Sequence, residues 1–356
     1  MSWTKKLLNL LIVFASIIFG LSISELALRV FSPQNLSGSW RVMHSSGLMI
    51  NKTGGHSRHQ LKDIVVEYSF SKFHNRQIDN EVKYENQKRI LILGDSFTFG
   101  WLIANGSTYA DKLQVTLKNH TLINSAAGGW GTGDHSKFIE LFCPEIKPSE
   151  IFIFLNVWDV HRAQGSSLYK LDKNGDISNN EPVRKNRLKA FLNDLPIYQW
   201  LLEHSHLLSL ARTVYLYEKN PVQPNSNQLD AIEKSFESKT LGVAIALEER
   251  LFKKIKKDAN SCGASVRVFY TGWKNIYDTK GNEDPTMLFL RKAKKEEFFS
   301  KNGITFHDLG ESGYMRQFQG NRSKYSIPDD GHPNNLGAEN IFQAIIEALN
   351  NNDFLK

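Results

Sequence analysis

The stretch that decides the fold is Arg89-Ile-Leu-Ile-Leu93-Gly94-Asp95-Ser96-Phe97-Thr98-Phe99-Gly100. A short apolar run ends abruptly at a glycine and two small polar residues. Such a run, bounded by turn residues, is the signature of a strand buried on both faces. Working outward, the same rhythm recurs. Thr121-Leu-Ile-Asn124, Ile151-Phe-Ile-Phe-Leu155, Ser265-Val-Arg-Val-Phe-Tyr270 and Ile304-Thr-Phe-His-Asp308 read as four more strands. Helical patterns near 107–118, 134–142, 230–258, 285–300 and 336–349 lie between and after them. Strands alternating with helices predict a five-stranded parallel sheet covered on both faces, an α/β fold.

Ligands of open parallel sheets bind at the carboxyl ends of the strands. Gly94-Asp95-Ser96 is at one such end, although a polar residue there also serves simply as a helix cap. Asp329-Asp330-Gly331-His332-Pro333-Asn334 precedes the last helix. A serine hydroxyl becomes a nucleophile when a histidine takes its proton and a carboxylate orients that histidine. Ser96, His332 and Asp329 fit these roles, with Asp330 as the competing carboxylate. An Asp and a His three apart project to one side of a single turn. The glycine-rich turn Asn124-Ser-Ala-Ala-Gly128-Gly129-Trp130-Gly131-Thr132 suits an oxyanion hole, where backbone N–H groups meet developing charge. Leu155-Asn156-Val157-Trp158-Asp159 offers Asn156 as a further donor, with Asn156 and Trp158 on one side by strand alternation. No G-x-G-x-x-G stands in the glycine turn, and no G-x-x-x-x-G-K-[ST] occurs anywhere, which argues against a nucleotide site.

The N-terminus sets the compartment. Lys5 and Lys6 precede the almost wholly apolar run 7–23, and Glu25 and Arg29 follow it. That run reads as an uncleaved signal anchor in preference to a signal peptide cut near Ser22-Ile-Ser24. With the lysines cytoplasmic, the remainder faces the periplasm or exterior, as a single-pass inner-membrane protein. Residues 1–31 form this anchor or signal, 32–87 an irregular lead-in with one alternating strand at 64–70, and 88–350 the main domain. A polar and then helical insertion interrupts the domain at about 160–228, where it could wall or cover the site.

The net charge is +7, spread along the chain, and the lysine run 253–257 reads as a solvated helix face. No zinc-finger spacing or RNP-like motif occurs, so nucleic acid is not an expected partner. Cys143 and Cys262 are either a disulfide of an oxidising compartment or two buried thiols.

In the order of these blocks the chain resembles the SGNH, or GDSL, hydrolases, closest to bacterial members with an N-terminal membrane anchor. The resemblance is carried by Gly94-Asp95-Ser96, by Asp329 and His332, by Gly129, and by Phe73-His-Asn-Arg76, NSAAGGWGT and the helical 205–212 stretch. It implies a flavodoxin-like three-layer α/β/α sandwich and a Ser96–His332–Asp329 triad. It also implies an oxyanion hole from the N–H groups of Ser96 and Gly129 and from Asn156. No metal or organic cofactor is implied. One block departs: alignment on Asp159 puts Trp158 where the family carries its oxyanion-hole asparagine. The expected activity is serine esterase chemistry on O-acetyl groups of cell-envelope or extracellular polysaccharide, with acylated glycan and membrane as partners. An O-acetyltransferase shares the same triad. A non-catalytic glycan-binding protein, with Trp130 and Trp158 stacking on sugars, is the reading from another class.

Overall fold

The computed structural model describes residues 3–78, 88–166, 168–180, 192, 195–219, 238–272, 284–351 and 354. The chain forms two compact units. One gathers 1–39, 57–67 and 186–230, and the other 40–56, 68–185 and 231–356.

The larger unit holds the sheet. Its strands are β1 (Ile64–Ser71, entering the unit at Tyr68), β2 (Asn75–Arg76), β3 (Lys88–Leu93), β4 (His120–Asn124), β5 (Glu150–Leu155), β6 (Ser265–Tyr270) and β7 (Thr305–Asp308). Within this unit they lie in the order β1-β2-β4-β3-β5-β6-β7. The five strands expected from sequence are the parallel ones, and their succession is second, first, third, fourth, fifth. That is the flavodoxin-like order, whose direction reverses between β3 and β5 and opens a crevice there. The sheet is larger than five strands. β2 joins β4 antiparallel through Arg76 and Asn124, and β1 joins β2. A two-residue strand is too short to leave a periodic signal.

Four of the parallel strands, β3 to β6, feed two cores, because successive side chains point to opposite faces. Leu91, Leu93, Ile151, Ile153, Leu155, Val266 and Val268 pack on one side. They meet Phe138 and Ile139 of one helix and Leu251, Phe252 and Ile255 of another. Ile90, Ile92, Leu122, Phe152, Phe154 and Phe269 pack on the other side, against Leu113, Ile341 and Ile345. Two apolar layers around one sheet make the three-layer sandwich.

In chain order the helices used below are α1 (Trp3–Phe31), α2 (Ser96–Phe99), α3 (Tyr109–Thr116), α4 (Thr132–Ile146), α5 (Asp159–Gly165), α6 (Pro196–His204), α7 (His206–Lys219), α8 (Ser238–Ser261), α9 (Pro285–Lys295) and α10 (Asn335–Asn350). α4 and α8 cover one face, α3 and α10 the other. Cys143 of α4 and Cys262, just past α8, are joined by a disulfide with their Cα atoms 6.0 Å apart. The expected start of the long helix at 230 and the loop at 220–227 lie outside the described residues.

The lead-in contains more strand than its sequence announces. Arg41–Met43 pairs with Met49–Asn51, and in the smaller unit Leu36–Ser37 pairs with residues 59–60. Among the described residues, the polar part of the insertion holds a hairpin, Tyr169–Leu171 against Ile177–Asn179. Its helical part is α6 and α7, which belong to the smaller unit with α1. α1 has 29 residues, a mean hydropathy of 2.3 over its most apolar window, and no part of that window buried.

Candidate active site

Ser96 opens α2 at the tip of β3. The turn that delivers it requires glycine at 94, where a Cβ would lie 2.0 Å from Thr98 Oγ1. Asp95 caps α2 by accepting the N–H of Phe97 at 2.9 Å. It is buried and accepts a second, charged bond from Arg162 at 2.7 Å. Asp95 thus serves the shape of the turn. Gly100 closes α2 at φ +82°, a left-handed conformation that glycine adopts without a Cβ clash.

His332 arrives from the loop before α10. Its Nε2 lies 2.8 Å from Ser96 Oγ, and its Nδ1 lies 2.5 Å from Asp330 Oδ1. The three side chains form one hydrogen-bonded serine, histidine, carboxylate line. In sheet order, motif order and site geometry the chain resembles an SGNH hydrolase.

The carboxylate in this line is Asp330, which corrects the expectation of Asp329. A spacing of three suits a helical turn, but 327–332 is not helical. Ile327 N–H donates to His332 O and Gly331 N–H to Ile327 O, folding the segment into a tight reversal. Asp329 (φ +61°) and Gly331 (φ +83°) both sit in the left-handed region. The reversal carries the residue two before His332, not three, to the imidazole. Burial raises the Asp330 pKa, yet the bond and charge of His332, its backbone N–H and the Trp101 indole outweigh that and hold it below the usual value. The His332 ring lies between aromatics: Trp101 stacks on it at 5.5 Å and Phe97 tilts against it at 5.1 Å.

The expected oxyanion donors fall in different places. The N–H groups of Ser96, Gly128 and Gly129 have no acceptor among the described residues. Of the two glycines, Gly128 is the one beside the nucleophile: a Cβ built there would lie 3.8 Å from Ser96 Cβ and 3.8 Å from Trp101. Gly129, at φ +80°, meets only Arg41 within that range. Asn156 is buried, and its amide lies 3.4 Å from Asp95 Oδ2 while its carbonyl accepts the Val157 N–H at 2.9 Å. The strand-alternation argument for Asn156 and Trp158 fails, because β5 ends at Leu155 and both residues lie in the turn beyond it. Trp158 caps α5 at φ +79°, a costly conformation for a bulky residue.

Two supporting residues were not singled out from sequence as site residues. Arg76, buried, donates to the carbonyls of Phe99, Gly100 and Ile103 and to Asn105 Oδ1. It stacks over Tyr68 and Phe99, so it clamps the chain just after the nucleophile. Arg162 holds Asp95 from α5 and faces Asp159 at 3.7 Å. The available signal for Arg76 was its place in Phe73-His-Asn-Arg76, which marked a resemblance and no role. Around this network lie buried acids whose pKa values rise by desolvation: Asp134 to about 6 and Glu248 to about 8. Burial also lowers His135 to about 4.

No family model matches the chain, and no curated protein does. Among solved structures it is similar to the psychrotrophic esterase EstA from Pseudoalteromonas sp., at 12% identity and a TM-score of 0.42, covering 74% of this chain and 98% of that one. It is similar to a variant of Axe2, an acetyl-xylooligosaccharide esterase from Geobacillus, at 12% identity and TM-score 0.40, covering 73% and 93%. It is similar to a GDSL-like lipase from Bacteroides thetaiotaomicron, at 13% identity and TM-score 0.36, covering 75% and 90%.

Proposed function

We propose that the protein is a serine ester hydrolase of the SGNH class, held to the membrane by α1 and acting outside the cytoplasm on O-acyl, foremost O-acetyl, groups of polysaccharide. The supporting observation is the Ser96–His332–Asp330 line at the carboxyl end of β3. His332 Nε2 takes the proton of Ser96 Oγ as it attacks the ester carbonyl. Asp330 accepts the Nδ1–H bond, which keeps the imidazole in the required tautomer and stabilises its cation. The N–H groups of Ser96 and of the 128–129 turn receive the oxyanion. Collapse of the tetrahedral species expels the alcohol, which takes the proton from His332 and leaves an acyl-Ser96. Water, deprotonated by His332, then releases the carboxylic acid.

The Cys143–Cys262 disulfide supports the extracytoplasmic placement, since such bonds persist in oxidising compartments. Lys5 and Lys6, at the start of α1 ahead of the apolar run 7–23, support the matching orientation. The test is labelling of the full chain with a fluorophosphonate probe. An adduct mapped to Ser96, and its loss with p-nitrophenyl acetate turnover in Ser96→Ala, is expected. Equal turnover in both proteins ends the assignment.

A further inference from the structure

We propose that the corner where α1 meets α6 and α7 docks on the membrane surface. There Ile197, Trp200, Val214 and Tyr215 sit in the headgroup layer of the bilayer that α1 enters. The inference rests on the anchored reading of α1 given above.

α1 is longer than a bilayer core requires. Its 29 residues extend about 43 Å at 1.5 Å per residue, against a hydrocarbon layer of about 30 Å. With the run 7–23, about 26 Å long, in hydrocarbon, residues 24–31 carry the helix through the rest of that layer and into the headgroup layer on the side away from Lys5 and Lys6. This last part of α1 is not a free tether. Glu25 accepts the Ser205 hydroxyl at 2.9 Å and the N–H groups of His206 and Leu207 at 2.9 and 2.8 Å. One carboxylate thereby caps the start of α7, where unpaired N–H groups favour an anion. Arg29 donates to Glu25 at 2.9 Å and to the carbonyl of His204, at the end of α6, at 2.6 Å. Gln34 N–H donates to His206 Nδ1 at 2.8 Å, and the Ser209 hydroxyl donates to Asn35 O at 2.7 Å. The α6–α7 corner is therefore pinned at the depth of residues 25–29.

Large apolar and aromatic side chains on both helices leaving this corner are exposed. Ile197 is 63% exposed and Trp200 55% on α6, and Val214 is 48% and Tyr215 53% on α7. Ile197 and Val214 each stand about two helical turns, roughly 10 Å, from the pinned corner. On α1 itself Leu26, Val30 and Phe31 remain exposed beyond Arg29. Tryptophan and tyrosine concentrate where membrane meets water, because one end of each is apolar and the other polar. The occupant follows from continuity: the bilayer that receives 7–23 begins where the corner is bonded to α1.

The test uses the full chain in phosphatidylethanolamine–phosphatidylglycerol nanodiscs. Cys143 and Cys262 are bonded to each other, so an introduced cysteine is the reactive thiol. An environment-sensitive fluorophore is placed by Phe14→Cys, Ile197→Cys, Val214→Cys or Val115→Cys, the last an exposed site on α3 of the larger unit. Quenching by headgroup-proximal nitroxide lipid should be severalfold stronger at 197 and 214 than at 115, and iodide quenching correspondingly weaker. Position 14 should respond to deep-chain nitroxide. If 197 and 214 behave like 115 while 14 is lipid-quenched, the docking proposal fails and the anchor stands. If 14 also behaves like 115, the anchor reading fails and takes the docking proposal with it.

Discussion

Replacing Asp330 by asparagine separates the carboxylate seen at the imidazole from its neighbour in sequence. Asp330 Oδ1 lies 2.5 Å from His332 Nδ1, and the variant keeps size and position while removing the charge. The asparagine amide can then donate to Nδ1, which puts the ring proton on Nε2, where the serine proton must be received. Loss of the equivalent carboxylate in a serine triad costs about 10⁴ in kcat. At about 1.36 kcal/mol per decade that is some 5 kcal/mol of transition-state stabilisation. KM should change little, since the carboxylate touches the imidazole and no substrate group. Asp329→Asn should leave kcat within about threefold, as a substitution outside the line. The assay is p-nitrophenyl acetate hydrolysis by both variants, with the rate of fluorophosphonate labelling as a second readout. A collapse of kcat in Asp329→Asn with turnover preserved in Asp330→Asn would refute the assignment. Wild-type protein adds a pH arm. Because the Asp330 pKa is held below its ordinary value, the stability from its charged form is present above the unfolded value and lost as pH falls through the lower folded one. Acid melting below the usual carboxylate range should therefore lose a component in Asp330→Asn.

Two further outcomes test the surroundings of the site. Glu248 is buried with its pKa raised to about 8, so its contribution to stability is full below about 4.5 and is lost as pH rises through 8. Glu248→Gln, which can still accept the Thr132 hydroxyl, should flatten the fall in Tm between pH 6 and 9 measured by calorimetry. Arg76→Met should lower stability by about 3–5 kcal/mol in a denaturant titration, because the carbonyls of Phe99, Gly100 and Ile103 lose a buried charged donor.

Much of this molecule is legible in its chain. The central parallel strands stand out because they are buried on both faces and so are apolar almost throughout, while Thr305–Asp308 at the edge is only half-buried and polar at three of its four residues. Ser96 and His332 stand out because they are placed at the strand tip and before the last helix, where such a sheet gathers its ligands. Several features are silent in sequence for definite reasons. β2 has two residues and no period. Arg76 acts through carbonyls distant along the chain, which leave no mark beside it. Asn156 and Trp158 continue the apolar run in sequence, but the strand ends at Leu155, and the alternation drawn from them goes with it.

The succession of strands and helices along the chain, the apolar run 7–23 and the candidacy of Ser96 and His332 were legible in the sequence alone, since they follow from local hydrophobic pattern and residue chemistry. Which carboxylate serves His332, which glycine stands beside Ser96, and whether Cys143 finds Cys262 were decided only in three dimensions. Each of those depends on backbone dihedrals and on contacts between segments far apart in the chain, and a linear spacing carries neither.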